Sequence, residues 1–381
     1  MLPPVNAQRL ADTFVSLCEI DSPSRREGAI AAHLTTLLRD ELQPEAIYED
    51  DSAAHTGSDC GNLIARFAGD PAHPPLFFCC HLDTVSPCKG VQVRFDGTAF
   101  SSAGDTILGA DDKAGIAMLI EMMRVLRETG ANHCPIELVF TTCEEIGLLG
   151  AKHLDYQKIQ ARMGLALDSA GVDLVVVGAP AANRFQVEFR GVAAHAGLHP
   201  EQGVSAIQLA AQAMADLQLG RLDEESTANL GLISGGTATN IIPDQVVIHG
   251  EVRSHSEEKL ARHTEAIRRR FQETVDGWQD PTGLAAGRPA FFWRVDQEYP
   301  AMSLPPSTPL ITRLSAAASR LDRPLRHTVS GGGSDANIMN GYGLTTAILG
   351  IGMTKVHTID ESITLNDLIR TTELLLSSVT Y

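Results

Sequence analysis

The chain lacks the segments that would mark it for a membrane or for export. No run approaches the roughly 18 consecutive apolar residues that a spanning helix needs. Residues 1–22 contain no basic stretch followed by an apolar core of about 7 to 15 residues, as a secretory signal would. We therefore expect a cytoplasmic protein that does not act at a membrane.

Basic residues are also scarce, because 30 Lys and Arg stand against 47 Asp and Glu, for a net charge of −17. Such a charge repels a nucleic-acid backbone and argues against a nucleic-acid partner. The seven cysteines are odd in number, have no zinc-finger spacing and end at Cys143, which predicts free thiols. No internal repeat is evident, and 381 residues suffice for two domains or one large one.

One stretch, residues 108–115, places two adjacent carboxylates before an apolar run. Gly109 permits a tight turn, and the apolar residues that follow have helical spacing, so Asp111 and Asp112 are predicted at a helix N-terminus. A single Asp there could simply cap the helix. Because one cap explains only one Asp, the pair indicates a metal site or a catalytic role.

Three predicted strands in the same half of the chain end in further ligand-type residues. The first strand ends at His81 and Asp83, the second at Glu144 and Glu145, and the third at Asp168. The carboxyl ends of parallel strands meet at one edge of an α/β sheet, where such folds bind ligands. His and carboxylate side chains together suit zinc.

The order of elements predicts the fold class. Residues 1–180 and 301–381 alternate strand and helix, which predicts an α/β domain with a mostly parallel sheet covered on both faces. Residues 181–300 read β-α-β-β-α-β, the ferredoxin-like α+β unit. We therefore expect a catalytic domain, residues 1–180 and 301–381, that is split around an inserted domain, residues 181–300.

Two short motifs carry specific chemistry. His81 and Asp83 have the i, i+2 spacing of one strand face, so the carboxylate could hold the second imidazole nitrogen, although an exposed strand end is the alternative. Adjacent Glu144 and Glu145 could supply one metal ligand and one base, with a solvated loop as the alternative.

In combination and order, the motifs resemble the dizinc metallopeptidase family of peptidase T, glutamate carboxypeptidases and aminoacylases, and the stretch Gly-Ala-Asp-Asp-Lys-Ala-Gly resembles the peptidase T branch in particular. The resemblance spans essentially the whole chain. The motifs that carry it are His81-x-Asp83, the turn 109–115, Glu144-Glu145, Asp168, Gly191-Val-Ala-Ala-His195-Ala-Gly197 and the late His357.

The resemblance implies two zinc ions per chain, with Co²⁺ or Mn²⁺ able to substitute. Asp111, two residues before Lys113, would bridge the two ions. In the family, the peptide bond that follows this Asp is cis. The remaining ligands would be His81 and Asp168 at one ion, and Glu145 and His357 at the other.

The resemblance also implies the roles of other residues. Glu144 would be the general base and Asp83 would orient His81. His195 would stabilise the oxyanion, often in the other subunit, which implies a homodimer joined through the insert acting as a lid. Asn240 and Arg253 would bind substrate, with Arg253 clamping a carboxylate. Taken alone, His195 could be a loop histidine and Arg253 a surface ion pair.

The expected activity is hydrolysis of short peptides, as an aminopeptidase acting on tripeptides. Cys143 replaces an acid and Ala196 a proline of the peptidase T branch, which leaves strict tripeptidase specificity open. Alternatives are a dizinc carboxypeptidase, an N-acyl amino acid deacylase, or a metal-binding protein without catalysis, which would not need Glu144. Residues 330–335 resemble the family's substrate-side glycine loop and lack the Gly-Lys-Ser/Thr ending of a phosphate loop.

Overall fold

The computed structural model describes residues 3–381, and its contacts divide the chain into two compact units. The first unit contains the residues up to Ala179 together with Met302–Tyr381, and the second is Pro180–Ala301. The helices are α1 Ala7–Cys18, α2 Gly28–Leu37, α3 Ala53–Thr56, α4 Ala110–Thr129, α5 Leu149–Lys152, α6 Ala206–Ala215, α7 Glu257–Asp276, α8 Pro309–Ser319, α9 Asp335–Gly341 and α10 Leu365–Val379. The strands are β1 Ala46–Glu49, β2 Leu63–Phe67, β3 Leu76–His81, β4 Val93–Phe95, β5 Ala99–Ser102, β6 Ile136–Thr141, β7 Met163–Ser169, β8 Leu174–Ala179, β9 Ala181–Arg190, β10 Gly220–Arg221, β11 Ser226–Gly235, β12 Gln245–Ser254, β13 Ala290–Tyr299, β14 Met302–Ser303, β15 Arg326–Val329, β16 Thr345–Gly350 and β17 Ser362–Thr364.

The large sheet of the first unit has the strand order β1-β2-β6-β3-β7-β16-β8-β14, with β15 beside β8. The four central strands, β6, β3, β7 and β16, run parallel to one another. The edge pairs β1–β2, β2–β6, β8–β16 and β8–β14 are antiparallel. Strand β8 follows β7 after only residues 170–173, a connection too short for the crossover that a parallel neighbour requires. The fold class is confirmed, with antiparallel pairs confined to the sides of the sheet.

Both faces of the central strands are buried. In β3, Phe78 and Cys80 join the larger apolar core, which includes residues of α1, α4, α8 and α10. Phe77 and Cys79 point to the opposite face and join a smaller core with residues of α9. This alternation explains why β3 is apolar at every position before His81.

Helix α4 spans Ala110–Thr129, so Asp111 and Asp112 lie at its N-terminal end as predicted. Gly109 precedes it at φ +77°, a left-handed conformation that favours glycine. Asp111 and Asp112 follow with non-helical backbone angles, and the peptide bond between them is cis, as the resemblance implies. A Cβ on Gly115 would lie 2.8 Å from the Cys80 sulfur, so glycine allows α4 to lie close to β3.

The second unit has the predicted order β-α-β-β-α-β, formed by β9, α6, β11, β12, α7 and β13, with the short β10 as an addition. Its sheet order is β10-β11-β12-β9-β13, and all pairs are antiparallel. Its own core combines Val187 and Phe189 of the sheet with Leu209 of α6 and Phe271 of α7. This unit is therefore ferredoxin-like, as predicted.

Two other sequence predictions bear on the environment of the protein. Among residues 3–381, no helix combines the length and apolarity needed to cross a membrane. All seven cysteines are buried and none is bridged to another.

Candidate active site

The predicted ligands of the first unit meet at the carboxyl edge of its sheet. His81 ends β3, Asp168 lies near the end of β7, and Glu144 and Glu145 follow β6. Asp111 lies in the first turn of α4, and His357 lies in the loop after β16. Because β3, β6, β7 and β16 are parallel, these residues converge although they are far apart in the chain.

His81 is held by two contacts of its buried ring. Its Nδ1 lies 2.9 Å from the backbone carbonyl oxygen of Asp83, and its Nε2 lies 3.0 Å from Oδ1 of Asp111. A carbonyl oxygen only accepts hydrogen bonds, so Nδ1 carries a proton. Burial lowers the pKa of His81, but its hydrogen bonds to Asp111 and Asp83 outweigh burial and raise that pKa well above its usual value. A metal ion that displaced the proton facing Asp111 would leave the tautomer protonated on Nδ1. That tautomer is the one a metal ligand on Nε2 requires.

The role predicted for the Asp83 carboxylate differs in detail. Its Oδ1 lies 3.6 Å from His81 Nδ1, beyond the backbone carbonyl that makes the hydrogen bond. Instead, Oδ1 accepts from the Glu144 amide at 2.9 Å and Oδ2 from the Glu145 amide at 3.2 Å. Asp83 thus orients His81 through its main chain and the Glu144-Glu145 loop through its side chain.

Asp111 lies between two histidines. Its Oδ1 faces His81 Nε2, and its Oδ2 lies 3.3 Å from His357 Nε2. His357 Nε2 also lies 3.1 Å from Oε1 of Glu145. Ligand atoms of His81, Asp111 and Glu145 lie within 4.8 Å of one another. A carboxylate with one oxygen directed at each of two histidines has the arrangement of a bridging ligand.

The charges of this cluster perturb one another strongly. Burial, reinforced by the charge of Asp168, raises the pKa of Glu144 well above its usual value. Burial and the charge of Asp111 do the same to the pKa of Asp168. Burial disfavours an ionised Asp111, but hydrogen bonds with His357 and His81 outweigh it and lower its pKa. Hydrogen bonds to Asp111 and Glu145 raise the pKa of His357 to about 10.

These donors fit divalent metal ions. Crowded, buried carboxylates are costly unless cations compensate them, and imidazole with carboxylate oxygen is a donor set that zinc accepts. The buried Asp112 lies beside this cluster, and its Oδ2 accepts from the His81 amide at 3.2 Å. The described residues therefore include a set of candidate metal ligands, and Asp112 holds the backbone of one of them.

Residues that the sequence patterns did not single out support the ligand loops. The buried Glu27 accepts from the Cys143 amide at 2.9 Å, and the Cys143 sulfur lies 3.3 Å from the same oxygen. An acid at position 143 would set a second carboxylate against Glu27, which accounts physically for the thiol there. Glu361 contacts the Asp111 loop, and Asp335, in the glycine loop 330–335, accepts from Thr141 at the end of β6.

Asp335 belongs to the glycine loop that the sequence analysis named, but Glu27 and Glu361 have no such motif, because an isolated Asp or Glu in a loop is normally solvated. The spacing of Glu361, four residues after His357, is the only available cue. Its partners are 250 and 252 residues away in the chain.

The remaining predicted residues, His195, Asn240 and Arg253, belong to the second unit. The Ala196 amide donates to the Asn240 carbonyl at 2.9 Å, so the loops of His195 and Asn240 pair. The Gly197 amide donates to Nδ1 of His195 at 3.1 Å. Arg253 donates through Nε and Nη2 to the two oxygens of Glu251, each at 3.0 Å. Glu251 thereby holds the guanidinium in one orientation.

Comparisons with known proteins identify the relatives of this chain. A family model for the M20 peptidase dimerisation domain matches residues 178–279, and one for M42 glutamyl aminopeptidase matches residues 89–178. The chain is similar to aminopeptidase PepT of Bacillus cereus, with 38% identity, 98% of each chain covered and a TM-score of 0.88. It is also similar to a tripeptidase of Staphylococcus aureus, with 34% identity, 98% of each chain covered and a TM-score of 0.91.

A more distant likeness supports the fold alone. It is to the Bacillus subtilis protein YXEP, described as a dinuclear metal binding peptidase from the M20 family. The identity is 18%, the coverage is 98% of this chain and 97% of the other, and the TM-score is 0.71.

Proposed function

Because the chain belongs to the M20 peptidase family, with PepT and tripeptidase structures as whole-length relatives, we propose that it is a two-metal aminopeptidase that removes the first residue of tripeptides. The observation that carries the proposal is Asp111, whose two oxygens each face a different histidine. A peptidase that used one metal would not need a carboxylate in that position.

The residues fit two zinc ions, for which Co²⁺ or Mn²⁺ could substitute. His81 and Asp168 would hold one ion, Glu145 and His357 the other, and Asp111 both. When bound, such ions lower the pKa of a water molecule and polarise the scissile carbonyl. The ligand side chains contribute by excluding bulk water and by holding the ions at a buried sheet edge.

Glu144 is the residue that moves the proton. Its carboxylate takes a proton from the attacking water and delivers it to the nitrogen of the leaving amine as the peptide bond breaks. Burial and the charge of Asp168 raise the pKa of Glu144 toward the neutral range. A group that must first accept and then donate a proton is most effective when its pKa lies near the working pH. The Asp83 carboxylate holds the Glu144 and Glu145 amides and so keeps the base and its neighbour in fixed positions.

His195 has the tautomer that an oxyanion donor requires. An amide N–H only donates, so the bond from Gly197 leaves Nδ1 of a neutral His195 unprotonated and places the proton on Nε2. The side chain is exposed, so that Nε2–H can donate to a ligand. We assign His195 to stabilisation of the oxyanion, and Asn240 and Arg253 to binding of the substrate beyond the scissile bond.

A homodimer joined through the second unit completes the proposal. Residues 231–240 are all exposed, with Leu232 at 68% and Ile233 at 58% of full exposure. Strand β10 pairs only with residues 227 and 228 of β11, so the rest of β11 is an edge of the sheet. An exposed apolar strand edge favours association with another chain. Light scattering should give twice the chain mass for the wild type and a smaller mass for Leu232→Glu. Leu284→Glu, at an exposed loop residue of the same unit, is the control.

The activity is tested with a tripeptide of three different residues, such as Ala-Gly-Phe, and with N-acetylalanine. We expect release of free alanine and Gly-Phe by the zinc-loaded wild type but not by Glu144→Gln. Release of phenylalanine would instead identify a carboxypeptidase, and faster hydrolysis of N-acetylalanine a deacylase. Two bound metals without any hydrolysis would indicate a metal-binding protein.

A further inference from the structure

Glu361 is a fully buried acid that the proposed reaction does not use. Its Oε2 accepts from the Gly109 amide at 2.7 Å, and its Oε1 accepts from the Asp111 amide at 3.0 Å. One carboxylate therefore holds two amides of the loop that carries Asp111.

These two amides lie before the regular part of α4, because Asp111 and Asp112 have non-helical backbone angles. Buried amides there need a hydrogen-bond partner outside the helix. Glu361 provides that partner from a distant part of the chain. The non-helical backbone of Asp111 thus depends on this carboxylate for its hydrogen bond.

Glu361 also belongs to the loop that carries His357. Thr354 and Ser362 close this loop by exchanging backbone hydrogen bonds of 2.9 and 3.1 Å. The Glu361 amide donates to the Thr358 carbonyl at 3.1 Å, which adds a turn inside it. His357 and Glu361 therefore share one closed loop, and Glu361 links this loop to the backbone of the Asp111 loop while His357 faces the Asp111 side chain.

His81 has supports of its own besides its contact with Asp111. Its Nδ1 is held by the Asp83 carbonyl, and its amide donates to Asp112. Removal of the Glu361 carboxylate should loosen Asp111 relative to His357 while His81 keeps its own supports.

We propose that Glu361 is a positioning residue that sets Asp111 against His357, and that its loss selectively weakens the metal ion held by Asp111, Glu145 and His357. This inference rests on the proposed two-metal function. Outer residues that orient metal ligands typically change metal affinity about 10- to 100-fold when they are replaced. We expect a change of that size at one of the two ions.

The test is Glu361→Gln, which keeps the shape but turns an NH₂ group toward one of the two amide donors. The matched control is Glu137→Gln. Glu137 is 1% exposed and accepts from the Ala161 amide at 2.8 Å and from the Gln160 amide, but it lies near the amino end of β6, away from the site. Both substitutions therefore remove a buried carboxylate that holds amides.

Metal-free wild type and variants are equilibrated with zinc at free concentrations set by a chelator buffer, and bound zinc is counted alongside thermal unfolding. We expect wild type and Glu137→Gln to bind two ions alike. Glu361→Gln should keep one ion at wild-type affinity and bind the second about 10- to 100-fold more weakly, with activity recovered at high zinc. If Glu361→Gln does not fold, Glu361→Asp is measured in its place. It keeps the charge but has a shorter side chain, and we expect it to bind the second ion more weakly as well.

Two tight ions in Glu361→Gln would overturn the inference. Equal weakening of the binding of both ions would also overturn it. The same holds if Glu137→Gln weakens zinc binding as much as Glu361→Gln does when the two variants lose the same thermal stability. A wild type that binds fewer than two ions would instead contradict the proposed two-metal function, so the two failures are distinguishable.

Discussion

The two units present their candidate functional residues in opposite ways. At the sheet edge of the first unit, His81 and Asp111 are buried, and the four candidate ligands His81, Asp111, Glu145 and His357 contact one another. In the second unit, His195 and Asn240 are exposed on paired loops. Burial and mutual contact give the first site a fixed geometry that a metal requires. Exposed polar residues suit a transient partner, which in the proposed function is the substrate.

The largest expected effect is on the first unit, from metal removal. Dialysis against a chelator should abolish hydrolysis, and zinc should restore it with two ions per chain, since five ligands with one shared carboxylate form two sets of three. Elemental analysis and tripeptide hydrolysis measure this. The mass by light scattering should stay that of the dimer, because the second unit holds no proposed ligand. A stoichiometry that remains at one or zero after resupply would contradict the bridging role of Asp111.

The next effect separates the base from the ligands. Glu144→Gln should keep both ions and lose about 10²- to 10⁴-fold in kcat, because the amide keeps the shape but cannot take a proton. Metal content and steady-state kinetics of the same sample provide the measurement. Turnover within tenfold of wild type would place the base elsewhere.

A smaller loss is expected from the second unit. His195→Ala should lower kcat by about 10²- to 10³-fold, the usual cost of one oxyanion donor, with metal content unchanged. His199→Ala is the control, since His199 is exposed nearby and pairs with Glu201. If His195 acts on the partner's site, mixing His195→Ala with Glu144→Gln chains should restore activity in heterodimers. No recovery despite confirmed subunit exchange would place His195 in its own chain's site.

The smallest expected effect concerns substrate length. Arg253→Ala should reduce kcat/KM for a tripeptide by about 10- to 100-fold, the range for a charged hydrogen bond, and reduce it little for the C-terminal amide. Arg294→Ala is a matched control, because Arg294 pairs with Asp296 at the same i, i+2 spacing as Arg253 with Glu251. Equal cleavage of the free acid and the amide by wild type would mean that Arg253 does not read the carboxylate.

The sequence by itself determined the fold class and the set of ligand candidates. Apolar runs such as residues 76–80 form strands because every position is buried, and an unexpected His or acid at a strand end is visible without the structure. The order of strands and helices in residues 181–300 was also sufficient to predict the ferredoxin-like unit. Such signals are local, since each depends on residues within one element or its immediate neighbours.

Only the tertiary structure decided how those ligands are held. It showed that His81 Nδ1 lies nearer the Asp83 carbonyl, at 2.9 Å, than the Asp83 carboxylate, at 3.6 Å. It also showed that Arg253 pairs with Glu251. Finally, it placed Glu27 and Glu361 in contact with the backbone of the loops that carry the candidate ligands. These contacts depend on the close approach of segments up to 252 residues apart. No periodicity or spacing in the sequence encodes such an approach, because it results from sheet pairing and from the packing of α4 on β3.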